Sequence, residues 1–193
     1  MSLSFHEAAH AWAANRLGDP TARQLGRLTL NPLAHIDWIG TVLFPLVAMS
    51  SGLPLIGWAK PVPVDVRYLR EPRRDFALIA LAGPVSNLIL AVAATLAFEF
   101  YMRIPVEPRV LADPLRMAIV LNVLLAVFNM FPIPPLDGGN VLMGLVPAPV
   151  ARAINWLRPY GFLIIYALMF TGILWRVMGP IQVFLLSILG FFN

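Results

Sequence analysis

The sequence predicts an all-α, multi-pass membrane protein: a polytopic helical bundle with short membrane-associated strands or a re-entrant segment between the first and second core helices. Hydrophobic residues make up 59% of the 193 residues and charged residues 12%, whereas soluble domains carry about 25% charged residues. Several apolar runs approach the roughly 20 residues that span a hydrocarbon core as a helix. A soluble globular fold is excluded, because so few charges could not cover its surface.

The length fits one integral-membrane domain over residues 1–193, with a core at 4–142 and C-terminal membrane helices at 141–193. The chain has no cysteine, which excludes disulfides and thiolate metal sites. Its net charge of +4 fits loops that meet anionic lipid. The lipid bilayer is therefore the predicted environment, nucleic acid is not a predicted partner, and the oligomeric state stays open.

Glycine, proline and charge divide the first part of the chain into segments. Residues 2–17 predict a helix that ends at "GDP". The connector 19–38 contains "RQLGRLTL", which is short and alternating enough to predict a strand. Residues 39–58 are apolar but interrupted by proline and glycine, and they predict either a re-entrant segment or a kinked transmembrane helix. The next stretch, "AKPVPVDVRYLREPRRD", predicts extended, basic chain because its prolines disfavour helix.

The second part predicts membrane helices separated by loops. Their predicted bounds are 76–102, 117–131, 141–146 and 160–178. Pro180 is expected to break the chain before a last apolar piece. Lysines and arginines cluster in the connectors on both sides of residues 39–58, and the positive-inside rule places both connectors in the cytoplasm. The polar loop 103–116 is then external, so the helix that follows it descends toward the cytoplasm.

The stretch "FHEAAHAW" places two histidines and a glutamate on the first helix. His6 and His10 are four residues apart, so both can present a ring nitrogen to one ion from the same helix face. Glu7 stands where the H-E-x-x-H pattern has the general base of a metalloprotease. Two histidines, a third protein ligand and an open position make a catalytic zinc site. The alternative is a chance pair of histidines at a membrane interface.

Asp137 in "NMFPIPPLDGG" is the favoured third ligand. The prolines before it and the glycines after it exclude a continuous helix, and an unwound membrane helix persists only where a cavity satisfies its backbone. Asp137 also returns to the membrane level of the first helix, which favours a metal ligand over a surface aspartate. The other candidate ligands are weaker. We expect Glu71 to form a surface ion pair and His35 to form a structural hydrogen bond. Asp19 and Asp37 look like cap or turn residues.

The motifs "FHEAAHAW", "AGPVSN" and "NMFPIPPLDGG", in this order on successive predicted membrane helices, resemble those of the site-2 protease family, in its short form without a PDZ domain. The members of this family are intramembrane zinc metalloproteases. The resemblance extends from about residue 4 to about residue 142 and includes "LNPLAHIDWIGT" and "GWAKPVPV". It implies one Zn²⁺ per chain, with His6, His10 and Asp137 as ligands and Glu7 as the catalytic base.

The resemblance also implies residues that shape the cleft and bind substrate, namely Gly83, Pro84, Asn87 and Asn129. From the residues alone, "AGPVSN" can equally be small-residue helix packing with one interhelical hydrogen bond. In the family the H-E-x-x-H motif lies well inside a transmembrane helix, but only five residues precede His6. We therefore expect either an upstream half of this helix or a zinc site that is open on one side.

These observations predict an enzyme that hydrolyses peptide bonds within or near transmembrane segments of membrane-bound substrate proteins. Such regulated intramembrane proteolysis would take place in the cell (plasma) membrane, with the active site toward the cytoplasmic side. One alternative is a catalytically impaired, zinc-binding pseudoprotease or scaffold. Another is a membrane metal transporter, which also places ionisable residues in broken helices. A transporter would be expected to have duplicated halves, and no second copy of either motif occurs.

Overall fold

The computed structural model describes residues 1–52, 59–105 and 110–192, and most of these residues are helical. In this part of the chain the α-helices are α1 (Ser2–Arg16), α2 (Thr21–Gln24), α3 (Phe44–Ser51), α4 (Pro72–Arg103), α5 (Ala112–Asn129), α6 (Asp137–Leu145), α7 (Ala148–Trp156), α8 (Gly161–Phe170) and α9 (Ile173–Ile188). Short 3-10 helices lie at Pro32–His35, Val66–Tyr68 and Arg158–Tyr160, and a π-helix lies at Trp38–Leu43.

Three helical stretches among the described residues are long and apolar enough to cross a membrane: α4, α5 and the run Ala148–Phe170 that contains α7 and α8. At 1.5 Å per residue, α4 is about 48 Å long and α5 about 27 Å, against a hydrocarbon core of about 30 Å. The prediction of an all-α, multi-pass membrane protein is confirmed. The predicted helices 76–102 and 117–131 lie within or close to α4 and α5.

Helix α4 is the centre of the fold, because α1, α5 and α6 all pack against it. Its contact with α1 buries Ala13 and Ala14 of α1 against Ile79 of α4, with Leu69 completing the cluster. Small alanine side chains let the two helices approach closely, as is usual where helices pack in a bilayer. This packing holds the histidines of α1 against one face of α4.

A larger apolar core joins α5 to the C-terminal helices. Ile119 and Val123 of α5, Ile165 of α8, and Leu174 and Met178 of α9 are at most 2% exposed. Many apolar side chains on the outer faces of these helices are exposed. Such apolar outer faces are suited to contact with lipid rather than with water.

The predicted short strands are not confirmed, because the described residues contain no β-strand. The stretch "RQLGRLTL" forms the end of α2 followed by turns, and residues 59–65 have no regular structure. One backbone hydrogen bond, from Lys60 N to His35 O at 2.9 Å, joins the two connectors. A sheet needs a ladder of such bonds between two extended edges. The compact turn at Pro32–His35 offers no such edge.

Residues 39–58 are helical as far as the structure describes them. The π-helix and α3 form one apolar stretch, Trp38–Ser51, whose 14 residues span about 21 Å. This stretch alone is too short to cross a core of about 30 Å. It ends at Gly52, whose φ of +69° is left-handed. Residues 53–58 lie outside the described residues, so the re-entrant path stays a prediction.

The predicted C-terminal span at 160–178 is wrong. Helix α8 ends at Phe170, and Gly172 adopts a left-handed φ of +74° before α9 begins. Glycine takes this conformation at little steric cost, so it ends helices readily. Pro180, by contrast, lies inside α9. Membrane helices tolerate an interior proline where neighbouring groups satisfy the freed carbonyl.

Candidate metal centre

Helices α1 and α6 bring His6, His10 and Asp137 together. His6 Nε2 lies 3.0 Å and His10 Nε2 lies 3.4 Å from Asp137 Oδ2. The three donor atoms all lie within 4.8 Å of one another. The two imidazole rings are 4.7 Å apart and nearly perpendicular, so their nitrogens approach the carboxylate from different directions. One turn of α1 and the first residue of α6 thus form a three-sided donor set.

This cluster is buried in the protein. His6 is 3% exposed and His10 is 8% exposed, and the Asp137 side chain is 15% exposed. Burying ionisable groups in a low-dielectric interior costs free energy unless they are paired or hold a metal. A cluster of three such groups in an apolar bundle therefore indicates a function.

The backbone of α4 sets the protonation of the His10 ring. His10 Nδ1 lies 2.7 Å from the carbonyl oxygen of Ile79, and a carbonyl oxygen can only accept a hydrogen bond. Nδ1 therefore carries the proton, which leaves the lone pair of Nε2 directed at the donor cluster when the ring is neutral. Metal-binding histidines usually donate their second nitrogen in this way.

The Asp137 carboxylate supplies the test of whether a metal fits here. Its Oδ2 is buried, yet it accepts no well-directed hydrogen bond from the described residues, although two ring nitrogens lie close to it. An unpaired buried carboxylate oxygen beside two imidazole nitrogens is unfavourable without a cation. Two imidazole nitrogens and a carboxylate oxygen are a donor set that zinc uses in catalytic sites. The residues present therefore fit a zinc ion.

Gly83 allows α4 to approach this cluster. A Cβ at this position would overlap His10 Nε2 and would lie 2.6 Å from His6 Nε2. Any side chain would occupy the space between the two ring nitrogens. The glycine of "AGPVSN" is thus required by close approach of the helix backbone to the donor atoms.

Glycines also place Asp137 at the start of α6. A Cβ at Gly138 would overlap the carbonyl of Met130, and one at Gly139 would lie 2.7 Å from the backbone carbon of Ile133. The proline-rich turn after α5 can therefore fold back against the first turn of α6. An acidic residue in the first turn of a helix also interacts favourably with the helix dipole.

Two arginines hold α6 in place. Arg158 donates to Asn140 Oδ1 at 2.7 Å, one turn after Asp137. At the other end of the helix, Arg73 of α4 donates to the carbonyl of Met143 at 2.8 Å and to that of Val146. Basic side chains commonly satisfy the last carbonyls of a helix. The third donor is thus fixed through α6 as a whole.

Glu7 is 8% exposed and lies next to His6 in the sequence. It is not part of the donor cluster, and no described residue donates a hydrogen bond to its carboxylate. A buried carboxylate beside a metal site and without a fixed partner is available for proton transfer.

The other residues implied by the resemblance lie at different distances from the donors. Asn87 is fully buried, and its Oδ1 lies 2.6 Å from His6 Nδ1. Pro84 is fully buried and lines an apolar cavity of about 340 Å³ between α4, α5 and α9. Asn129 is partly buried at the end of α5, and its side chain donates to the carbonyl of Leu125 at 2.9 Å. Their predicted substrate contacts stay predictions.

The weaker ligand candidates have the structural roles that their sequence context predicts. His35 Nε2 donates to the carbonyl of Thr29 at 2.8 Å, and exposed Glu71 pairs with Arg74 at 3.3 Å. Asp19 accepts from Thr21 N at 2.9 Å. Asp37 accepts from two backbone N–H groups at the start of the π-helix.

Sequence reasoning missed Asn122, which is 3% exposed on α5. Its Oδ1 accepts a hydrogen bond from Asn87 Nδ2 at 2.9 Å, so Asn122 is connected to His6 through Asn87. The signal was present, because "AIVLNVLLAV" has a single polar residue in a membrane helix. Polar residues at membrane depth are rare and usually functional.

Comparison with known proteins identifies related chains. The model of Peptidase family M50 matches residues 104–170. YwhC of Bacillus subtilis, whose name describes a candidate zinc metalloprotease, is 37% identical over 185 residues, covering 93% of this chain and 81% of YwhC. Rip2 of Mycolicibacterium smegmatis and Rip2 of Mycobacterium tuberculosis, with names of the same kind, are 33% and 29% identical. The chain spans 66% and 63% of their lengths and the alignments cover 91% and 87% of this chain. No solved structure matches the chain.

The relative from Bacillus subtilis aligns with nearly the whole chain, and the family match includes the segment that carries Asp137. The comparisons give no support to a transporter or to a scaffold without activity. With apolar helices that can cross a membrane and a donor set that fits zinc, the chain belongs to peptidase family M50, the site-2 proteases, and is an intramembrane zinc metalloprotease.

Proposed function

We propose that His6, His10 and Asp137 hold the zinc ion of this protease and that Glu7 is its catalytic base. The observation that carries the proposal is the convergence of three buried donor atoms within 4.8 Å, one of which has no hydrogen bond from the described residues. Three protein ligands leave the fourth tetrahedral position for water or substrate, as in catalytic zinc sites.

The chemistry is hydrolysis of a peptide bond. When bound, zinc lowers the pKa of a water molecule toward about 7 and polarises a carbonyl group. Glu7 takes the proton of the attacking water and then transfers it to the leaving amine. Its burial beside His6 and His10 keeps bulk water away from the transferred proton. A single carboxylate thus acts first as general base and then as general acid.

The depth of the site supports a substrate within the membrane. The contacts of the two histidines on α4, Ile79 and Asn87, lie 7 and 15 residues after Pro72. At 1.5 Å per residue these positions are about 10 and 22 Å from the start of α4. A peptide bond cleaved there lies within or near a transmembrane segment of a membrane-bound protein.

The substrate segment must unwind locally, because helical peptide bonds are shielded by their own hydrogen bonds. Residues 59–65 pair with no strand among the described residues. Lys60, Pro61 and Asp65 use backbone groups in other hydrogen bonds, but the N–H groups of Val62 and Val64 have no hydrogen bond to a described residue and are available to an extended peptide. Addition of a substrate strand to such a segment is a common recognition mode. The apolar cavity beside Pro84 offers space for apolar side chains of the same substrate.

We also propose that the protein lies in the cell membrane with the active site toward the cytoplasmic side. The connector before α4 and the first turn of α4 together carry five basic residues, namely Lys60, Arg67, Arg70, Arg73 and Arg74. Positive residues close to a membrane helix favour the cytoplasmic side. The donor cluster packs against the half of α4 that follows this connector.

The test is zinc content and proteolysis of the purified chain in detergent or lipid. We expect one zinc per chain and cleavage of a transmembrane peptide that a chelator abolishes and added zinc restores. Asp137→Asn should lose most bound zinc and activity, because an amide is a much weaker zinc ligand than a carboxylate. Asp113→Asn is the matched control, since Asp113 stands in the first turn of α5 as Asp137 does in α6. Full zinc content in Asp137→Asn would overturn the ligand assignment.

A further inference from the structure

Two buried amides connect α5 to the metal site. Asn87 of α4 is fully buried and Asn122 of α5 is 3% exposed. Asn87 Nδ2 donates to Asn122 Oδ1 at 2.9 Å, and Asn87 Oδ1 lies 2.6 Å from His6 Nδ1. Buried amides in an apolar bundle are stable only when their polar atoms are paired. The two asparagines therefore form a hydrogen-bonded chain that ends on a candidate zinc ligand.

The direction of this chain is set by a backbone carbonyl. Asn122 Nδ2 donates to the carbonyl of Ala118 at 2.8 Å. A carbonyl oxygen accepts but never donates, so the NH₂ group of Asn122 must face Ala118. Its Oδ1 must then face Asn87. The orientation of an amide is inferred from its partners, and the carbonyl of Ala118 is compatible with only one orientation of the Asn122 amide.

The same logic carries through to the histidine. Since Asn122 presents an acceptor, Asn87 must present its NH₂ group to Asn122 and its oxygen to His6. An oxygen acceptor at 2.6 Å requires the proton of the neutral ring to be on Nδ1. The lone pair of Nε2 then points toward Asp137 Oδ2, 3.0 Å away.

Asn87 alone does not determine this outcome, because the two ends of an amide have nearly the same shape. If Asn87 turned over, its NH₂ group would face His6 Nδ1. The ring proton would move to Nε2, where it blocks a metal bond. Two neighbours oppose this reversal, because each would then have its oxygen against another oxygen. Asn122 Oδ1 lies 2.9 Å from Asn87 Nδ2, and the carbonyl oxygen of Ser2, at 3.4 Å, is the longer and weaker of the two contacts.

We propose that Asn122 is a positioning residue of the metal site, which acts through Asn87 to hold His6 in the Nδ1–H form that leaves Nε2 free for zinc. This inference rests on the proposed ligand set. It assigns a role to a residue on α5 that touches neither the donor cluster nor Glu7 in the contacts of the described residues. A purely structural Asn122 would link α4 to α5 without affecting the tautomer of His6.

The test is Asn122→Leu in the full chain, with two measurements. The first is the tautomer of the His6 ring in the metal-free protein, from ring ¹⁵N chemical shifts at a pH where the ring is neutral. The chain has three histidines, so assignment by single substitution is practicable. The second is zinc affinity, measured by competition with a chelator.

We expect His6 to be Nδ1–H in the wild-type protein and to gain Nε2–H population in Asn122→Leu. The tautomer of His10 should not change, because the backbone carbonyl of Ile79 keeps the proton of that ring on Nδ1. Zinc affinity should fall about 10- to 100-fold, as is typical when a group that orients a metal ligand through hydrogen bonds is lost. Thr95→Val is the control: it removes a side-chain hydrogen bond to the carbonyl four residues earlier in α4, and it should change neither measurement.

A second variant tests the mechanism directly. Asn87→Asp, combined with Asn122→Leu, gives His6 an acceptor in either orientation of the side chain. The Nδ1–H form and tight zinc binding should return in this double variant, whereas a purely structural defect would persist. If Asn122→Leu does not fold, the double variant carries the same substitution, so the His6 tautomer of the wild-type protein decides the question: an Nδ1–H ring supports the inference and an Nε2–H ring overturns it.

Two results would overturn the inference. One is an Nε2–H ring at His6 in the metal-free wild-type protein. The other is a folded Asn122→Leu protein with wild-type tautomer and zinc affinity. Absence of zinc binding in the wild-type protein would instead refute the proposed ligand set, and the tautomer measurement would still test the role of Asn122.

Discussion

Gly83 of α4 lies so close to His10 of α1 that a Cβ at position 83 would overlap the Nε2 atom of the ring. The helix backbone therefore forms one wall of the candidate metal site. This contact explains why the site needs a glycine in the middle of a long helix, where glycine otherwise costs about 0.5–1 kcal/mol relative to alanine. The same position is the most direct place to test the geometry of the site.

Gly83→Ala should weaken zinc binding while α4 remains helical. The added methyl group must displace His6 or His10, and overpacking of this kind costs about 1 to 3 kcal/mol, which corresponds to roughly 5- to 150-fold in affinity. Zinc affinity and helical circular dichroism measure the two effects separately. Gly179→Ala in α9 is the control, because its added Cβ has no described atom within 4 Å apart from its chain neighbours and the backbone of its own helix. Unchanged zinc affinity in Gly83→Ala would contradict the close approach.

Glu7→Gln should abolish most proteolysis and leave zinc binding intact. The amide keeps the shape of the side chain but cannot accept the proton of the attacking water, so the rate should fall about 10²- to 10⁴-fold. Cleavage of a transmembrane peptide and zinc content are the two measurements. Glu71→Gln should retain full activity, since Glu71 is exposed and pairs with Arg74 at 3.3 Å. A Glu7→Gln protein with wild-type activity would exclude Glu7 as the base.

The convergence of His6, His10 and Asp137 could be predicted from the sequence because each part of it is a local pattern. The spacing of His6 and His10 fixes a common helix face, and the prolines before Asp137 fix a break in the chain. Asn122 stands out in the sequence as the single polar residue of its apolar stretch, but its contact with Asn87 could not be predicted, since that contact depends on how α5 is rotated against α4. That rotation is set by packing of many side chains and not by any short motif.

The C-terminal helices show where local signals were ambiguous. Gly172 and Pro180 are both helix breakers in isolation, and the sequence alone favoured the proline. In the structure the glycine ends α8, and α9 continues through the proline. Which breaker acts is decided by the surrounding helices. Leu174 and Met178, fully buried on α9, show that the first two turns of this helix, before Pro180, pack in the core.

Arg158→Met should destabilise α6 and, with it, the position of Asp137. The guanidinium of Arg158 donates to Asn140 at 2.7 Å, and a hydrogen bond of a charged group contributes about 1.5 to 3 kcal/mol. We expect a lower thermal midpoint and weaker zinc binding. Arg152→Met is the control, because exposed Arg152 has no hydrogen bond or ion pair with the described residues. Equal behaviour of the two variants would argue against a role of Arg158 in holding α6.

The proposed orientation can be tested by labelling single cysteines, which is straightforward because the chain has none of its own. Tyr68, before α4, is 55% exposed, and Val110, after α4, is 67% exposed. Since α4 is long enough to cross the membrane, the two positions should lie on opposite sides. In intact cells a membrane-impermeant thiol reagent should label Val110→Cys and reach Tyr68→Cys only after the membrane is opened. The reverse pattern would place the basic connector outside and contradict the cytoplasmic orientation, while labelling of both in intact cells would show that α4 does not cross.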